Sequence, residues 1–263
     1  MNFYRISKIA LLIAVQLMLA VSSWGEICIS SAGTMGRNYN TISLRIVSGV
    51  EMVLISPPGL DSFWISRYEV TQELYQSVMG KNPSIFKGDK LPVEQVSWFN
   101  AVEFCNKLSN RSGLIPYYII DKSGHDPENI NSGLKWRVTI NHDADGFRLP
   151  TSAEWGAAAR GESTGIYFWG DKINGEYCWY RDNSAGKTHP VGTRKPNSAG
   201  IYDITGNVSE WCFDWHPEYY GMNRVVRDGH CNLDADYMKP DITDCRAPDF
   251  EVGFIGIRLA KNN

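Results

Sequence analysis

The segment 203–211, with the sequence DITGNVSEW, carries the residue types of a metal site built from oxygen ligands. Asp203 and Glu210 supply carboxylates, and Gly206 permits a sharp turn that directs backbone carbonyls between them. A mixed, flexible shell of such oxygens suits Ca²⁺, although the spacing differs from that of an EF-hand loop. The same residues also fit a turn followed by a half-buried aromatic strand, and the segment alone does not separate the two readings.

A second segment, 228–254, combines acidic and aromatic side chains without helical or alternating periodicity. If it forms a binding face, its aromatic rings supply stiff contact area and its short polar side chains supply adaptable hydrogen bonds. Its carboxylates would favour a basic partner. Alternatively, the aspartates could bind a second cation, although their spacing does not require one. The candidate ligand-binding residues are Asp228, His230, Cys231, Asn232, Asp234, Asp236, Tyr237, Asp241, Asp244, Asp249 and Phe250.

The remaining cysteines and histidines show no spacing typical of a metal or redox motif. None of the six cysteines lies in a C-x-x-C pair, and their disulfide connectivity cannot be deduced from sequence. Cys105 lies on the apolar face of a helical pattern, which indicates an inert core residue. The five histidines are scattered along the chain without H-x₃-H spacing, so four of them fit loop or packing positions better than ligand positions.

The pattern along the chain predicts two strands and three helices before the loops begin. The strands are predicted at 52–55 and 63–68, and the helices at 69–79, 97–108 and 151–160. Thr71, Ser97 and Thr151 are the expected N-caps, and Glu154 completes a capping box with Thr151. Beyond Gly161, glycines and prolines recur every few residues, which predicts loops carried on a scaffold.

The N-terminus has the pattern of an export signal over residues 1–25. Arg5 and Lys8 precede an apolar run at 9–21, which is shorter than the roughly 20 residues of a membrane span. A signal anchor remains the alternative. We therefore expect export to the periplasm or the bacterial cell surface. Cys28 is a candidate for lipidation and membrane attachment, although the residues before it match a lipoprotein processing box poorly.

Composition indicates one domain and no nucleic-acid partner. The formal net charge is −3, and Lys and Arg do not cluster anywhere in the sequence. After the signal, about 235 residues remain, enough for a single core. We assign residues 26–50 to an N-terminal extension and residues 51–263 to the domain.

Short motifs spread over the chain resemble one known family. In order they are YEVT at 68–71, GFRLPTSAEW at 146–155, AAARG at 157–161, FWGD at 168–171, HPVG at 189–192, PNSAGIYD at 196–203, GNVSEW at 206–211 and IGIR at 255–258. Together they resemble the formylglycine-generating-enzyme, or sulfatase-modifying factor, domain from about residue 52 to 259. The resemblance implies an α+β fold: an irregular variant of the C-type lectin fold with few short strands and helices and many loops.

The resemblance also implies one structural calcium ion. The family's metal loop matches Asp203, Gly206, Val208 and Glu210 one for one, with carboxylates from the first and last and carbonyls from the other two. A second family site uses an Asn in the position of Asn183 and a downstream Asp-Gly-Phe stretch. That stretch is missing here, so we predict a single ion.

The catalytic positions of the family do not carry over. The resemblance implies that oxidase chemistry requires two cysteines, which bind copper through their thiolates. The matching positions hold Leu233 and Met238, and neither side chain can supply a thiolate. Copper is therefore not expected, and the sequence favours a protein that is not an enzyme. An oxidase or related redox enzyme that uses Cys231 in a shifted register is the alternative. The iron-dependent branch of the family takes its histidines from an additional helical domain, which the sequence does not show.

A segment that departs from the family pattern at 228–254 and is followed at once by IGIR resembles the variable proteins of diversity-generating retroelements. These proteins display a randomised binding face on this same fold. The sequence therefore predicts an exported, non-catalytic binding protein with a calcium-stabilised scaffold and a protein or other macromolecular ligand. Two alternatives remain open, a drifted loop in an inactive paralogue and a structural subunit of another surface protein.

Overall fold

The structure is a computed structural model that describes residues 18–21, 26–30 and 42–263, with side chains from Ser43 onward. Most of the predicted export signal therefore lies outside the described residues, and so does the side chain of Cys28. Among the described residues, no helix is both long and apolar enough to cross a membrane.

The N-terminal half forms an antiparallel sheet and two helices. Its elements are β1 (Met18–Val21), β2 (Glu26–Ser30), β3 (Ile42–Val47), β4 (Val50–Ile55), β5 (Phe63–Ser66), α1 (Gln72–Met79) and α2 (Trp98–Arg111). The sheet has the order β1-β2-β3-β4-β5 and is completed by the C-terminal strand of the chain. It therefore extends into the segment assigned to the N-terminal extension, because β3 pairs with β4 from Leu44 to Val47.

The middle of the chain is sparse in regular structure. It contains a two-stranded ladder of β6 (Tyr118–Asp121) and β7 (Arg137–Ile140), then α3 (Ser152–Arg160) and the single turn α4 (Arg181–Ser184). The C-terminal part supplies β8 (Ser209–Trp215), β9 (Arg224–Arg227), β10 (Thr243–Arg246), β11 (Ile255–Gly256) and β12 (Ala260–Asn262), with short 3₁₀ turns at Pro217–Tyr219 and Ala235–Met238. Strands β10, β9, β8 and β11 form a second sheet in that order, and β12 pairs with β5 in the first.

The helix caps follow the sequence prediction. The side chains of Thr71, Ser97 and Thr151 each accept a backbone N–H in the first turn of α1, α2 and α3. Glu154 closes the capping box by accepting the Thr151 N–H. These side chains satisfy donors that a helix start otherwise leaves without partners. The three caps are therefore confirmed, although α1 begins at Gln72 rather than at residue 69.

Two apolar clusters meet at the second sheet. On β8, Trp211 packs into the cluster around α1 and α2, whereas the next residue, Cys212, packs into the cluster around α3 and β5. Successive side chains of a strand point to opposite faces, so β8 separates the two clusters and is buried on both sides. The prediction of an α+β fold with short elements and many loops is confirmed, whereas the second sheet was not anticipated.

Candidate functional site

Glu210 and Arg258 form an ion pair at the centre of the molecule. Arg258 Nη2 lies 2.8 Å from Glu210 Oε1, and Arg258 Nε donates to both carboxylate oxygens at 2.9 and 3.0 Å. Trp155 Nε1 donates to Glu210 Oε2 at 2.6 Å. All three side chains are fully buried. The carboxylate of Glu210 is therefore already neutralised and hydrogen-bonded by the protein itself.

Asp203 lies at the turn before β8, and only one of its two carboxylate oxygens has a hydrogen-bond partner. Its Oδ2 accepts the Gly192 N–H at 2.5 Å, while its Oδ1 is buried and has no hydrogen-bond partner. Burial raises the pKa of this carboxyl to about 6. The backbone of Asp203 is left-handed, with φ of +48°, and its carbonyl accepts from Arg258 Nη2.

Position 206 requires glycine for two reasons: a neighbouring backbone leaves no room for a side chain, and the residue has a left-handed backbone conformation. Its φ is +83°, and a Cβ atom at this position would lie 2.3 Å from the carbonyl oxygen of Trp179. A side chain therefore cannot be accommodated without moving the backbone. The Gly206 N–H donates to Asp228 Oδ2 at 2.5 Å, which ties the predicted metal loop to the start of the acidic segment.

The predicted calcium donors fit an ion only in part. Asp203 offers a buried oxygen without a partner, which suits a bound cation. Glu210 instead faces the guanidinium of Arg258, and a cation beside that guanidinium would be repelled. Within the described residues, no group of three or more His, Cys, Asp or Glu side chains is placed to hold a metal. The side chain of Asn183 forms hydrogen bonds with residues close to it in sequence: it accepts from the Tyr180 N–H and donates to the Cys178 carbonyl.

Glu69 is a member of this buried network that the sequence did not single out. It is almost fully buried and accepts from the Asn207 side chain and the Val208 N–H, so it braces the turn between Asp203 and β8. Burial, followed by the charges of Asp203 and Glu210, raises its pKa well above the ordinary value. Its position in the YEVT motif was the available signal.

The acidic segment 228–254 encloses a cavity of about 570 Å³. Five of the predicted binding residues line it: Asp228, His230, Tyr237, Asp244 and Phe250. Tyr237 is 48% exposed and Phe250 is 43% exposed, so two aromatic side chains stand at the surface of this region. The structure thus brings about half of the predicted set together around one concave site.

The other predicted residues lie elsewhere on the surface or inside. Asn232, Asp234, Asp236 and Asp241 are exposed, and the three aspartates pair respectively with Arg181, Lys239 and Arg160. The side chain of Asp249 accepts the Gly133 N–H at 2.6 Å. Cys231 is fully buried and therefore contributes to the core rather than to a surface that contacts a ligand.

His230 is held as a neutral ring at the side of the cavity. It stacks on Phe254, with the ring centroids 4.7 Å apart and the planes 6° from parallel. Its Nδ1 accepts the Asn232 N–H at 3.2 Å, which places the proton of the neutral ring on Nε2. Burial and, secondarily, the charge of Arg246 lower its pKa to about 4.

The positions that match the family's catalytic cysteines are packing positions. Met238 is fully buried against Tyr167 and Cys178, and Leu233 packs on the same cluster. Burial raises the pKa of the neighbouring Cys231 thiol to about 12. The five cysteines from Cys105 to Cys245 are all unpaired, and Cys105 is buried as expected.

The family model that matches this chain and the relatives found by comparison agree with each other. The model of the sulfatase-modifying factor enzyme 1-like domain matches residues 55–263. The chaperone protein LppX of Paenibacillus barcinonensis is 45% identical over 178 residues, which are 60% of this chain and 64% of that protein. The formylglycine-generating enzyme of Streptomyces coelicolor is 33% identical over 148 residues, covering 44% and 47% of the two chains. The matches thus span less than two thirds of either relative.

Among solved structures, variable protein 1 of Treponema denticola superposes with a TM-score of 0.72 at 32% identity. The superposition covers 84% of this chain and 99% of that protein. The two molecules therefore share one fold over most of this chain, and the fold is of the C-type lectin-like kind.

Proposed function

Because the chain belongs to the sulfatase-modifying factor enzyme 1-like domain family, we propose that it is a non-catalytic binding protein that uses this scaffold to present segment 228–254. The ligand is a polypeptide, bound over the cavity and the exposed aromatic side chains beside it. In this proposal the protein is exported, as its N-terminal pattern indicates, and Cys28 remains a candidate for lipid attachment.

The proposal rests on one observation: a concave site lies beside a segment whose two ends are held by buried strands. Segment 228–254 begins directly after β9 and ends directly before β11, and the side chains of both strands are buried. Tyr237 and Phe250 are exposed between these anchors and border a cavity whose wall combines apolar and charged residues. Rigid, exposed aromatic residues next to a pocket are typical of binding surfaces.

The relatives support the same class of function. The Treponema protein is named a variable protein, and its likeness extends over almost its entire length. Changes at exposed positions between β9 and β11, such as Tyr237 and Phe250, would alter the face without altering the buried frame. The relative from Paenibacillus is named a chaperone protein, and a chaperone also binds a polypeptide, which agrees with the ligand class proposed here.

The enzymatic alternative finds little support in the side chains. An oxidase of this family would need reactive thiolates, whereas Leu233 and Met238 occupy the matching positions and the Cys231 thiol is buried. A buried thiol with a raised pKa is a poor nucleophile and a poor metal ligand. Turnover of a Cys-x-Pro-x-Arg peptide by the copper-treated protein, lost in Cys231→Ser, would establish the enzymatic alternative instead.

The proposal can be tested by selecting ligands and then removing the aromatic side chains. Peptides selected from a random phage-displayed library on the full protein should bind the unmodified chain, and Tyr237→Ala combined with Phe250→Ala should abolish that binding. Tyr219 and Tyr220 are exposed to a similar degree, 44% and 57%, and lie outside the segment. Their double alanine variant is the matched control and should bind normally. Equal loss in both variants, or retention by the first, would contradict the proposal.

A further inference from the structure

A buried arginine without a counter-ion lines a second cavity, of about 380 Å³. Arg224, the first residue of β9, is 5% exposed and belongs to the wall of this cavity. It forms no ion pair within the part of the chain that the structure describes. Buried charges are normally paired, because removing an ion from water is costly unless a partner compensates. Burial accordingly lowers the pKa of Arg224 to about 9.

Two indole rings hold the guanidinium group in place. Its central carbon lies 3.9 Å from the ring centroid of Trp98 and 3.5 Å from that of Trp215. These contacts offset part of the cost of burial, but they satisfy none of the five N–H donors of an arginine. Nη1 donates to the Phe213 carbonyl at 2.7 Å, and Nε is sealed from solvent without a partner. Nη2 makes no hydrogen bond to the described residues and is not sealed, so its donors are available to a molecule in the cavity.

The same cavity is lined by two carboxylates, those of Asp126 and Glu128. Glu128 Oε2 accepts from the Tyr220 hydroxyl at 2.8 Å. The Tyr220 ring in turn lies 6.1 Å from the Trp215 ring, which covers Arg224. Continuous contacts therefore join the carboxylate of Glu128 to the guanidinium along the wall. Neither acid forms an ion pair with Arg224.

The loop that carries the two acids is held against the turn that follows β8. The Ile130 N–H donates to the Gly221 carbonyl at 2.8 Å. Gly221 has a φ of +74°, and a Cβ atom at this position would lie 2.1 Å from the carbonyl oxygen of Glu128. Only a residue without a side chain permits this close approach. The backbone that carries the acids is thus packed directly against the turn that carries Tyr220.

The charges of the cavity wall balance each other. Arg224 and the exposed Arg137 are positive, whereas Asp126 and Glu128 are negative. A simple anion would be repelled by the two acids, and a simple cation would be repelled by the guanidinium. A small molecule with one charged group of each sign matches both. The rest of the wall includes apolar and aromatic side chains, namely Val138, Phe213, Trp215 and Tyr220.

We propose that this cavity binds a free α-amino acid in its zwitterionic form. The carboxylate of the amino acid accepts from Arg224 Nη2, its ammonium group donates to Asp126 and Glu128, and its side chain contacts the aromatic rings. No residue of this wall belongs to segment 228–254. The site is therefore separate from the proposed polypeptide-binding face, and the inference does not depend on that function.

The first test uses ligands and needs no variant. The common free L-amino acids are screened against the full protein by thermal shift, and binding is measured by isothermal titration calorimetry. At least one should bind, and its α-amide and its N-acetyl derivative should each bind more than about tenfold more weakly, because each lacks one of the two charges. Binding by none of the amino acids would overturn the inference. Equal binding of the N-acetyl derivative, which indicates an anion site, or of the α-amide, which indicates a cation site, would also overturn it.

The second test changes the wall. Arg224→Lys keeps the positive charge but loses the planar fork of donors, and it should weaken binding of the selected amino acid by more than about tenfold. Since Arg224 is buried and its substitution can disturb folding, Asp126→Asn combined with Glu128→Gln provides an independent variant. This pair keeps acceptors for the Glu128 N–H and the Tyr220 hydroxyl and should weaken binding at least about threefold.

Glu218→Gln is the matched control for the acidic pair, because Glu218 is exposed and lies outside the cavity wall. It should leave the affinity for the amino acid unchanged. Unchanged affinity in the Asp126→Asn, Glu128→Gln variant, or an equal loss in the control, would overturn the inference.

Discussion

Arg258, near the C-terminus, is paired with Glu210 in the centre of the second sheet, with Nη2 and Oε1 2.8 Å apart and both side chains fully buried. Arg258 also donates to the carbonyl oxygens of Ser66, Tyr202 and Asp203. One side chain thus connects β5, the turn before β8, and β8 itself. The IGIR and GNVSEW motifs are therefore two halves of one buried contact.

Glu210→Gln is expected to destabilise the protein by about 3–5 kcal/mol, because it leaves the Arg258 guanidinium buried without a counter-charge. The free energy of unfolding in urea measures this loss. Glu176→Gln makes the same chemical change in an exposed pair with Lys195 and should cost less than about 1 kcal/mol. Similar losses in the two variants would show that the buried pair has no special role.

The sequence predicted the parts of the fold that local rules govern. Thr71, Ser97 and Thr151 were identified as caps because a cap requires only a short polar side chain before a helical pattern. The pairing of β8 with both β9 and β11 was missed, since β11 has only two residues and its pairing depends on contacts distant in sequence. Loop positions such as Cys231 and Asp228 also gave no signal of burial.

The sequence predicted which residues contribute to the candidate site, but not how they are arranged in space. Tyr237 and Phe250 were identified as contact residues, and the structure places them at the surface beside one cavity. The pairing of Glu210 with Arg258, by contrast, could not be read from either motif alone, because the two residues are 48 positions apart in sequence.

Calcium is expected to raise the melting temperature, because an ion bound only by the native state adds RT ln(1 + [L]/Kd) to its stability. Asp203→Asn should remove that increment, since Asp203 Oδ1 is the predicted side-chain ligand without a protein partner. Asp236→Asn, an exposed charge-matched control, should retain it. Identical melting curves in calcium and in chelator would eliminate the proposed ion.

Acidification is expected to destabilise the protein through His230. Its pKa is lowered to about 4 from the ordinary 6.5, so the unfolded chain binds a proton in a pH range where the folded chain does not. Stability from this residue is present above about pH 6.5 and is lost as the pH falls toward 4. His230→Phe, which keeps a ring to stack on Phe254, should reduce the loss by about 1–3 kcal/mol. Urea unfolding of both proteins at several pH values measures the difference, and parallel pH profiles would contradict it.

Framework and face residues are expected to respond differently to truncation. Trp211 is fully buried, and its Nε1 donates to the Val96 carbonyl at 2.7 Å, so Trp211→Ala should cost about 3–5 kcal/mol. Tyr237→Ala and Phe250→Ala should each cost no more than about 0.5 kcal/mol, because both side chains are largely exposed. Asp228 and Cys231 do not belong with them, since burial places both in the interior. Chemical denaturation of the single variants measures each cost. If the two aromatic truncations unfold the protein, these side chains hold the segment in place and are not free to serve a ligand.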